Sequence, residues 1–268
     1  MPSTQKHRIL QRTLRLHAGD LIKFAIVAAA AVWLLARGTE ALGYHWQWYR
    51  AWRYLFQIRG EEWIAGPLLV GLWVTVKITL ISLLLAFAIG LLTAAFRLSR
   101  SAVARAVARL YLEIVRNTPL LVQLFFLYFV LSPILGIGRW TAAILALSLF
   151  EGAYASEMVR AGILSIERGQ WEAADSLGFS KLAAYRHVIL PQALRRMLPP
   201  LTSQAISLIK DSALVSTIAI YDLTMRGQAV IAETYLTFEI WFIVAALYLL
   251  ITVSLSIGVN FLENRLRM

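Results

Sequence analysis

The sequence contains no cysteine, so disulfide bonds, thiolate metal sites and cysteine catalysis are excluded. It also lacks a glycine-rich phosphate-binding motif, a serine nucleophile elbow and histidines at metal-ligand spacing. The four histidines are His7, His17, His45 and His187. We therefore expect no catalytic site, metal site or cofactor in this chain, and it cannot bind ATP through a P-loop.

Acidic residues are also scarce, because 15 Asp and Glu stand against 26 Lys and Arg, giving a formal net charge of +11. Such a charge can indicate a nucleic-acid partner, but here the basic residues are spread between long apolar runs. Hydrophobic residues make up 59% of the chain, and the mean hydropathy is +0.67. This composition predicts a polytopic membrane protein that contacts lipid and has no nucleic-acid partner.

Six apolar runs have close to, or more than, the length of about 20 residues that a helix needs to cross a bilayer. They cover roughly Leu21–Ala36, Leu68–Phe96, Pro119–Gly136, Thr141–Val159, Leu201–Ile220 and Ile240–Leu262. The predicted fold class is therefore all-α integral membrane, with about six transmembrane helices. The first run is short and has a basic flank, as in a signal peptide, but no convincing small-residue cleavage site follows, so we favour a retained helix.

The distribution of Lys and Arg predicts the orientation of these spans, because cytoplasmic loops are enriched in both residues. Eighteen of the 26 basic residues lie in segments 1–23, 97–117, 160–200 and 263–268. Six lie in the alternate loops 37–67, 137–140 and 221–239. We therefore expect a multi-pass protein of the inner (cytoplasmic) membrane, with both termini and the polar segment 165–200 in the cytoplasm.

The loop after the first span is rich in aromatic residues. These residues are Tyr44, Trp46, Trp48, Tyr49, Trp52, Tyr54, Phe56 and Trp63. Aromatic rings favour the headgroup level of a membrane. We predict an amphipathic segment at the outer interface, and we favour an interfacial anchor over a substrate or partner site.

The polar segment 165–200 contains a predicted helix from Gln170 to Leu177, which Gly178 would end in a left-handed conformation. Ser180 is placed to cap a second short helix. In the first helix, Trp171, Ala174 and Leu177 share one face, so an apolar stripe is expected with acidic flanks. A helix this short needs its own chain and a partner surface to be stable.

The spacing of Glu172-Ala173-Ala174, Gly178 and Ile189-Leu190-Pro191 resembles the EAA loop of ATP-binding-cassette importer permeases. Three further segments, 113–123, 154–163 and 209–214, resemble the polar amino-acid branch of that family, which includes histidine, glutamine and glutamate/aspartate permeases. One departure is Ser212-Ala213-Leu214, where many relatives have Thr-Ser-Leu. The resemblance covers about Gly66 to the C-terminus, and this divides the chain into an N-terminal extension, 1–65, and a permease domain, 66–268.

This resemblance implies a five-helix core, here with one added N-terminal helix, and a coupling helix that docks into a cassette ATPase. The coupling residues it implies are Gln170, Trp171, Glu172, Ala173, Ala174, Leu177 and Gly178. It further implies a transport subunit and not an enzyme, which forms half of a translocation path for a polar amino acid. The implied partners are a dimer of cassette ATPases, a second permease subunit and an extracytoplasmic solute-binding protein.

Four charged residues within or near the apolar runs are candidates for the substrate path: Lys77, Glu157, Lys210 and Asp211. Glu157 has three possible partners, namely Arg160 on the next turn, Lys210 or a substrate ammonium group. We favour a structural pair for Glu157, and snorkelling or a helix contact for Lys77.

Two other function classes remain open at this point. A membrane-embedded lipid-modifying enzyme would need acids or histidines clustered at one membrane level. Glu151 and Glu157 lie about 120° apart around a helix, however, so only one of them is expected to face a given cavity. A secondary transporter driven by an ion gradient would favour midspan acids in two related halves, and no such halves are apparent.

Overall fold

The computed structural model describes residues 3–59 and 62–266. The chain divides into two compact units, Met1–Trp48 and Tyr49–Met268, so the boundary falls inside the aromatic loop. The first unit is dominated by helix α1, Ser3–Ala41. Within α1, Gly19–Gly38 is long and apolar enough to cross a membrane.

The second unit is helical apart from one hairpin, as the composition predicts. Its short elements are α2 (Trp48–Ala51), β1 (Phe56–Arg59), β2 (Glu62–Ala65), α5 (Leu120–Phe125), α6 (Ser132–Leu135), α8 (Arg168–Ser176) and α9 (Lys181–Ala184). Its longer helices are α3 (Pro67–Leu98), α4 (Ala102–Arg116), α7 (Arg139–Leu164), α10 (Leu190–Asp211), α11 (Leu223–Thr234) and α12 (Thr237–Leu266). Single π-helical stretches join α5 to α6 and α9 to α10.

Four helical segments of the described chain are long and apolar enough to span a membrane: Gly19–Gly38, Pro67–Leu98, Arg139–Leu164 and Thr237–Val259. A fifth is present if α4 and α5–α6, which are bent by 105°, count as one span. The run expected over Leu201–Ile220 is part of α10, which ends at Asp211 and is followed by a 3₁₀ helix, Ser212–Ile218. Polar residues such as Arg195, Arg196 and Lys210 keep α10 below the hydropathy of the other spans.

Small residues bring α3 and α7 close together. A Cβ on Gly90 would lie 2.8 Å from the Ala155 Cβ, and a Cβ on Gly152 would lie 2.8 Å from Cγ2 of Ile89. The helices therefore approach as closely as glycine allows. In lipid, where apolar side chains gain little by leaving their surroundings, such close packing is a main source of helix association.

Hydroxyl groups add hydrogen bonds between α3 and two other helices. The Ser148 hydroxyl of α7 donates to the Ser82 carbonyl of α3 at 3.2 Å. The Thr75 hydroxyl of α3 accepts from the Leu223 amide, at the start of α11, at 3.1 Å.

Asp222 begins α11 and joins it to α12. Its carboxylate accepts from the Met225 amide at 2.8 Å and from the Tyr248 hydroxyl at 3.4 Å. The side chain is fully buried, and this burial raises the pKa of Asp222 to about 6. The hydrogen bonds therefore stabilise a carboxyl group that burial alone would disfavour in its charged form.

The aromatic loop is a short helix followed by a hairpin, and not the single amphipathic segment that the sequence predicts. Strands β1 and β2 pair antiparallel, with Gln57 opposite Ile64. Ala51 and Leu55 are buried, whereas Trp52 and Trp63 are 62% and 72% exposed. The aliphatic residues thus fasten this loop to the protein and leave aromatic rings outward, as an interfacial anchor requires.

We predict that Gly90→Val weakens the packing of α3 on α7, because the added side chain would meet Ala155. Overpacking of this kind costs about 1–3 kcal/mol. The apparent melting temperature of the purified protein in detergent should fall by several degrees. Gly258→Val is the matched control, since a Cβ there meets nothing within 4 Å. Equal melting temperatures for the two variants would contradict the assigned contact.

Candidate coupling helix and intramembrane polar sites

The predicted cytoplasmic helix is present as α8, which begins at Arg168, two residues before the expected start. Gly178 has a φ of +72°. Its amide donates to the Asp175 carbonyl at 3.0 Å, and the Phe179 amide donates to the Ala174 carbonyl at 3.1 Å. This pair of bonds is a Schellman motif, which satisfies the last carbonyl groups of a helix. Ser180 then caps α9 by accepting from the Ala183 amide, as predicted.

The apolar stripe expected on α8 is divided between two environments. Trp171 meets the ring of Tyr185 edge-on at 4.9 Å between centroids, and Ala174 is buried. Leu177 is 78% exposed. Trp171 and Ala174 therefore hold α8 to its own chain, and of the three stripe residues only Leu177 is available to a partner.

Two polar contacts fasten this loop to the neighbouring long helices. The Gln192 amide nitrogen of α10 donates to the side-chain oxygen of Gln170 at 2.9 Å. The Arg196 guanidinium donates to the backbone carbonyl of Ser165, at the end of α7. Gln170 therefore ties α8 to α10, and Arg196 ties α10 to the end of α7.

The outward side of α8 combines charge with small and aliphatic residues. Glu172 is exposed and accepts from Nε of Arg168 at 2.9 Å, and Ala173 beside it is exposed too. Leu177 and Leu182, which is 80% exposed, extend this surface toward α9. The outward surface therefore combines charged, small and aliphatic side chains and is not a continuous apolar ridge.

Glu157 is the acceptor for guanidinium groups from three helices. Arg97 at the end of α3 donates to its Oε1, and Arg116 at the end of α4 donates to the same oxygen at 3.0 Å. Arg160 donates to Oε2 from Nε at 3.2 Å and from Nη2 at 3.0 Å. Glu157 thus pairs with Arg160, one of the partners that the sequence analysis left open, and with two arginines that it missed.

A polar cavity of about 410 Å³ lies beside this cluster. It is lined by Arg97, Arg109, Leu112, Glu113, Arg116, Asn117, Tyr154 and Glu157. None of the other three candidates for the substrate path lines it. Because its arginines outnumber its carboxylates, the cavity wall carries a positive charge.

A second buried carboxylate, Glu151, faces α10. Its side chain is 2% exposed, and its Oε1 has no hydrogen-bond partner within the described residues. Gln204 and Asp211 of α10 are its polar neighbours. Lys210 is exposed, while Asp211 is partly buried. The structure thus groups Asp211 with Glu151 and places Glu157 in the separate arginine cluster, as the angle between the two glutamates predicts.

Lys77 stands apart from both groups. It is exposed on α3, next to the buried hydroxyl of Thr75, and it makes no hydrogen bond or ion pair with a described residue. Its position fits the snorkelling role favoured from the sequence.

Sequence reasoning missed Arg97, Arg116 and Gln204 as site residues. The sequence analysis treats both arginines only as charges of a cytoplasmic segment, whereas the structure places Arg97 in the last turn of α3 and Arg116 in the last turn of α4. No local pattern indicates that α3, α4 and α7 end together. That convergence is a property of the folded chain.

Comparisons of this chain with a protein family and with individual relatives indicate the same family. Residues 86–268 match the family described as binding-protein-dependent transport system inner membrane component. The glutamine transport system permease protein GlnP of Escherichia coli K12 is 42% identical over 209 residues, covering 76% of this chain and 95% of the relative. The probable glutamine permease GlnM of Bacillus subtilis is 37% identical, covering 73% and 91%.

Solved structures show the same fold. An amino acid ABC transporter crystallised with histidines aligns with a TM-score of 0.70 at 37% identity, covering 74% of this chain and 94% of that chain. The methionine transporter MetNI, in an inward-facing conformation, aligns with a TM-score of 0.63 at 22% identity, covering 74% and 95%, and it supports the fold alone. The chain therefore belongs to the inner-membrane components of binding-protein-dependent transport systems, the permease subunits of ATP-binding-cassette importers.

Proposed function

We propose that this chain forms half of the translocation path of an ATP-driven importer for a polar amino acid. The relatives named as glutamine permeases and the neighbour named as an amino acid transporter support this substrate class. Glu151 and Asp211 supply carboxylates that suit a substrate ammonium group, and Lys210 supplies a cation for a carboxylate. Family membership favours this function over a gradient-driven carrier or a lipid-modifying enzyme.

The hydrogen bond from α10 to α8, together with the bond that ties α10 to the end of α7, is the observation that carries the coupling role. In this mechanism a cassette ATPase engages the outward surface of α8, including Glu172, Ala173 and Leu177. ATP-driven closure of two ATPases displaces α8, and the bonds of Gln170 to Gln192 and of Ser165 to Arg196 pass the movement to α10 and α7. The helices then expose the path to one side of the membrane or the other.

Three partners complete the proposed importer. A dimer of cassette ATPases binds on the cytoplasmic side and supplies the ATP site. A second permease subunit, the same or similar, provides the other half of the path. An extracytoplasmic solute-binding protein delivers the substrate, in keeping with the family description. The distribution of Lys and Arg supports cytoplasmic termini and places α8 on the side of the ATPase.

We predict that Glu172→Lys weakens the binding of the ATPase and thereby lowers transport. The substitution reverses a charge on the outward side of α8 and leaves the contacts of Trp171 and Ala174 with their own chain unchanged. In proteoliposomes, substrate uptake and co-purification of the ATPase should both fall by at least about tenfold, the effect of roughly 1.4 kcal/mol of lost binding. Normal uptake by the purified complex would contradict the coupling role of α8.

Glu62→Lys is the matched control for this experiment, because it makes the same charge change on the exposed β2 strand of the aromatic loop. It should leave the ATPase bound. Equal loss of the ATPase in both variants would mean that the effect comes from net charge and not from α8.

We also predict that Glu157→Gln destabilises the permease itself. Three guanidinium groups would lose their shared anion, and hydrogen bonds to charged groups contribute about 1.5–3 kcal/mol each at most. The apparent melting temperature without substrate should fall by several degrees. Glu113→Gln, in the same cavity, removes an acceptor for a single side-chain amide, that of Asn117. If the two variants had the same melting temperature and only Glu157→Gln lost uptake, the result would contradict a stabilising role and indicate that Glu157 contacts the substrate.

A further inference from the structure

Helix α4 has an aliphatic face that no described part of the chain covers. Val103, Val107, Leu110 and Ile114 recur at intervals of four, three and four residues, so they form one stripe along the helix. Each is between 54% and 74% exposed. A different set of residues, Ala108, Leu112 and Val115, is buried and packs against the rest of the protein. The stripe is therefore additional to the packing face of α4.

The packing face fixes α4 to α7. Leu112 and Val115 pack with Ala153, and the Tyr111 hydroxyl donates to the Leu149 carbonyl at 2.5 Å. These contacts determine which way the rest of the helix points. The exposed stripe is thus a fixed surface of the permease and not a consequence of a loosely held helix.

A basic face lies across the helix from the stripe. Arg105, Arg109 and Arg116 centre about 150° around α4 from the stripe, at 3.6 residues per turn. Arg105 is exposed and donates to the Ser99 carbonyl at 2.9 Å, and Arg116 is held by Glu157. A helix with one aliphatic side and one basic side has the composition of a segment that lies in a membrane surface.

The direction of α4 also fits a helix that lies in the membrane surface. It is bent by 105° from α5–α6. If α5–α6 crosses the membrane, α4 runs nearly parallel to the membrane plane. The segment 97–117 carries five arginines, so it is on the cytoplasmic side by the distribution of basic residues.

We propose that α4 is an in-plane helix that binds the inner leaflet of the membrane, with its stripe among the acyl chains next to the headgroups. The exposed Arg105 and Arg109 face the headgroup phosphates and water, and anionic phospholipids are the preferred neighbours because of the positive charge. Lipid is favoured over a protein partner because the stripe is wholly aliphatic. It offers no aromatic ring or hydrogen-bonding group of the kind that concentrates the binding energy of protein interfaces.

This location gives α4 a function within the permease. The same helix carries Arg116 to Glu157, and the preceding span carries Arg97 to the same carboxylate. Lipid contact along the stripe would hold the arginine cluster at one membrane depth while other parts of the subunit move. The inference rests on the geometry of α4 and does not depend on which solute is transported.

The absence of cysteine allows a direct test. Val107→Cys and Leu110→Cys place a nitroxide on the stripe, and Arg109→Cys places one on the basic face of the same helix. The labelled chain is studied as the complex that co-purifies from the membrane, reconstituted in vesicles of phosphatidylethanolamine and phosphatidylglycerol. The unsubstituted complex, labelled in parallel, corrects for cysteines in partner subunits.

Collisions with oxygen and with a water-soluble nickel chelate then report the surroundings of each label. At Val107 and Leu110 we expect the ratio of oxygen to nickel accessibility to exceed that at Arg109 several-fold. Replacing phosphatidylglycerol by phosphatidylcholine should lower the ratio at the stripe. Equal nickel accessibility at all three positions would overturn the proposal by placing the stripe in water. Immobile labels shielded from both reagents would overturn it by showing a protein partner on the stripe.

Discussion

The close contact between α3 and α7 is the constraint on which the rest of the permease unit depends. Lipid surrounds apolar side chains as favourably as a protein interior does, so two spans associate through close packing and hydrogen bonds. Gly90 and Gly152 allow that approach, and Ser148 adds a bond to the backbone of α3. With α7 fixed in this way, its C-terminal part lies beside the C-terminal end of α3, and Glu157 comes within hydrogen-bonding reach of Arg97.

Helix α7 connects the two polar sites with the cytoplasmic loop. Glu151 faces α10 inside the protein, and Glu157, six residues later, faces α3 and α4 near the cytoplasmic end. Beyond it, the Ser165 carbonyl is held by Arg196 of α10. Helix α7 therefore carries the buried carboxylate, the acceptor of the arginine cluster and, at its end, the residue that is bonded to α10.

The sequence predicts features that depend on neighbouring residues and misses those that depend on distant ones. Gly178 and Ser180 determine the ends of short helices through local backbone geometry, and the structure has both caps. The long apolar runs likewise identify α3, α7 and α12. In contrast, the meeting of Arg97 with Arg116 at one carboxylate requires three helix ends to converge, which no spacing in the chain encodes. The apolar run before Ile220 likewise does not show where its helix ends, because α10 stops at Asp211 and a 3₁₀ helix follows.

The apolar stripe of α8 shows that helical periodicity identifies a shared face but not what covers each residue on it. Helical spacing places Trp171, Ala174 and Leu177 on one face, but it does not say whether that face meets a partner or the helix's own chain. A short helix cannot remain ordered without tertiary contacts, so the apolar residues first satisfy that need, and Trp171 packs on Tyr185. Glu172, Ala173 and the side chain of Leu177 stay exposed. The exposed surface is therefore small and mixed in polarity, because the residues that could have made it apolar hold α8 in place.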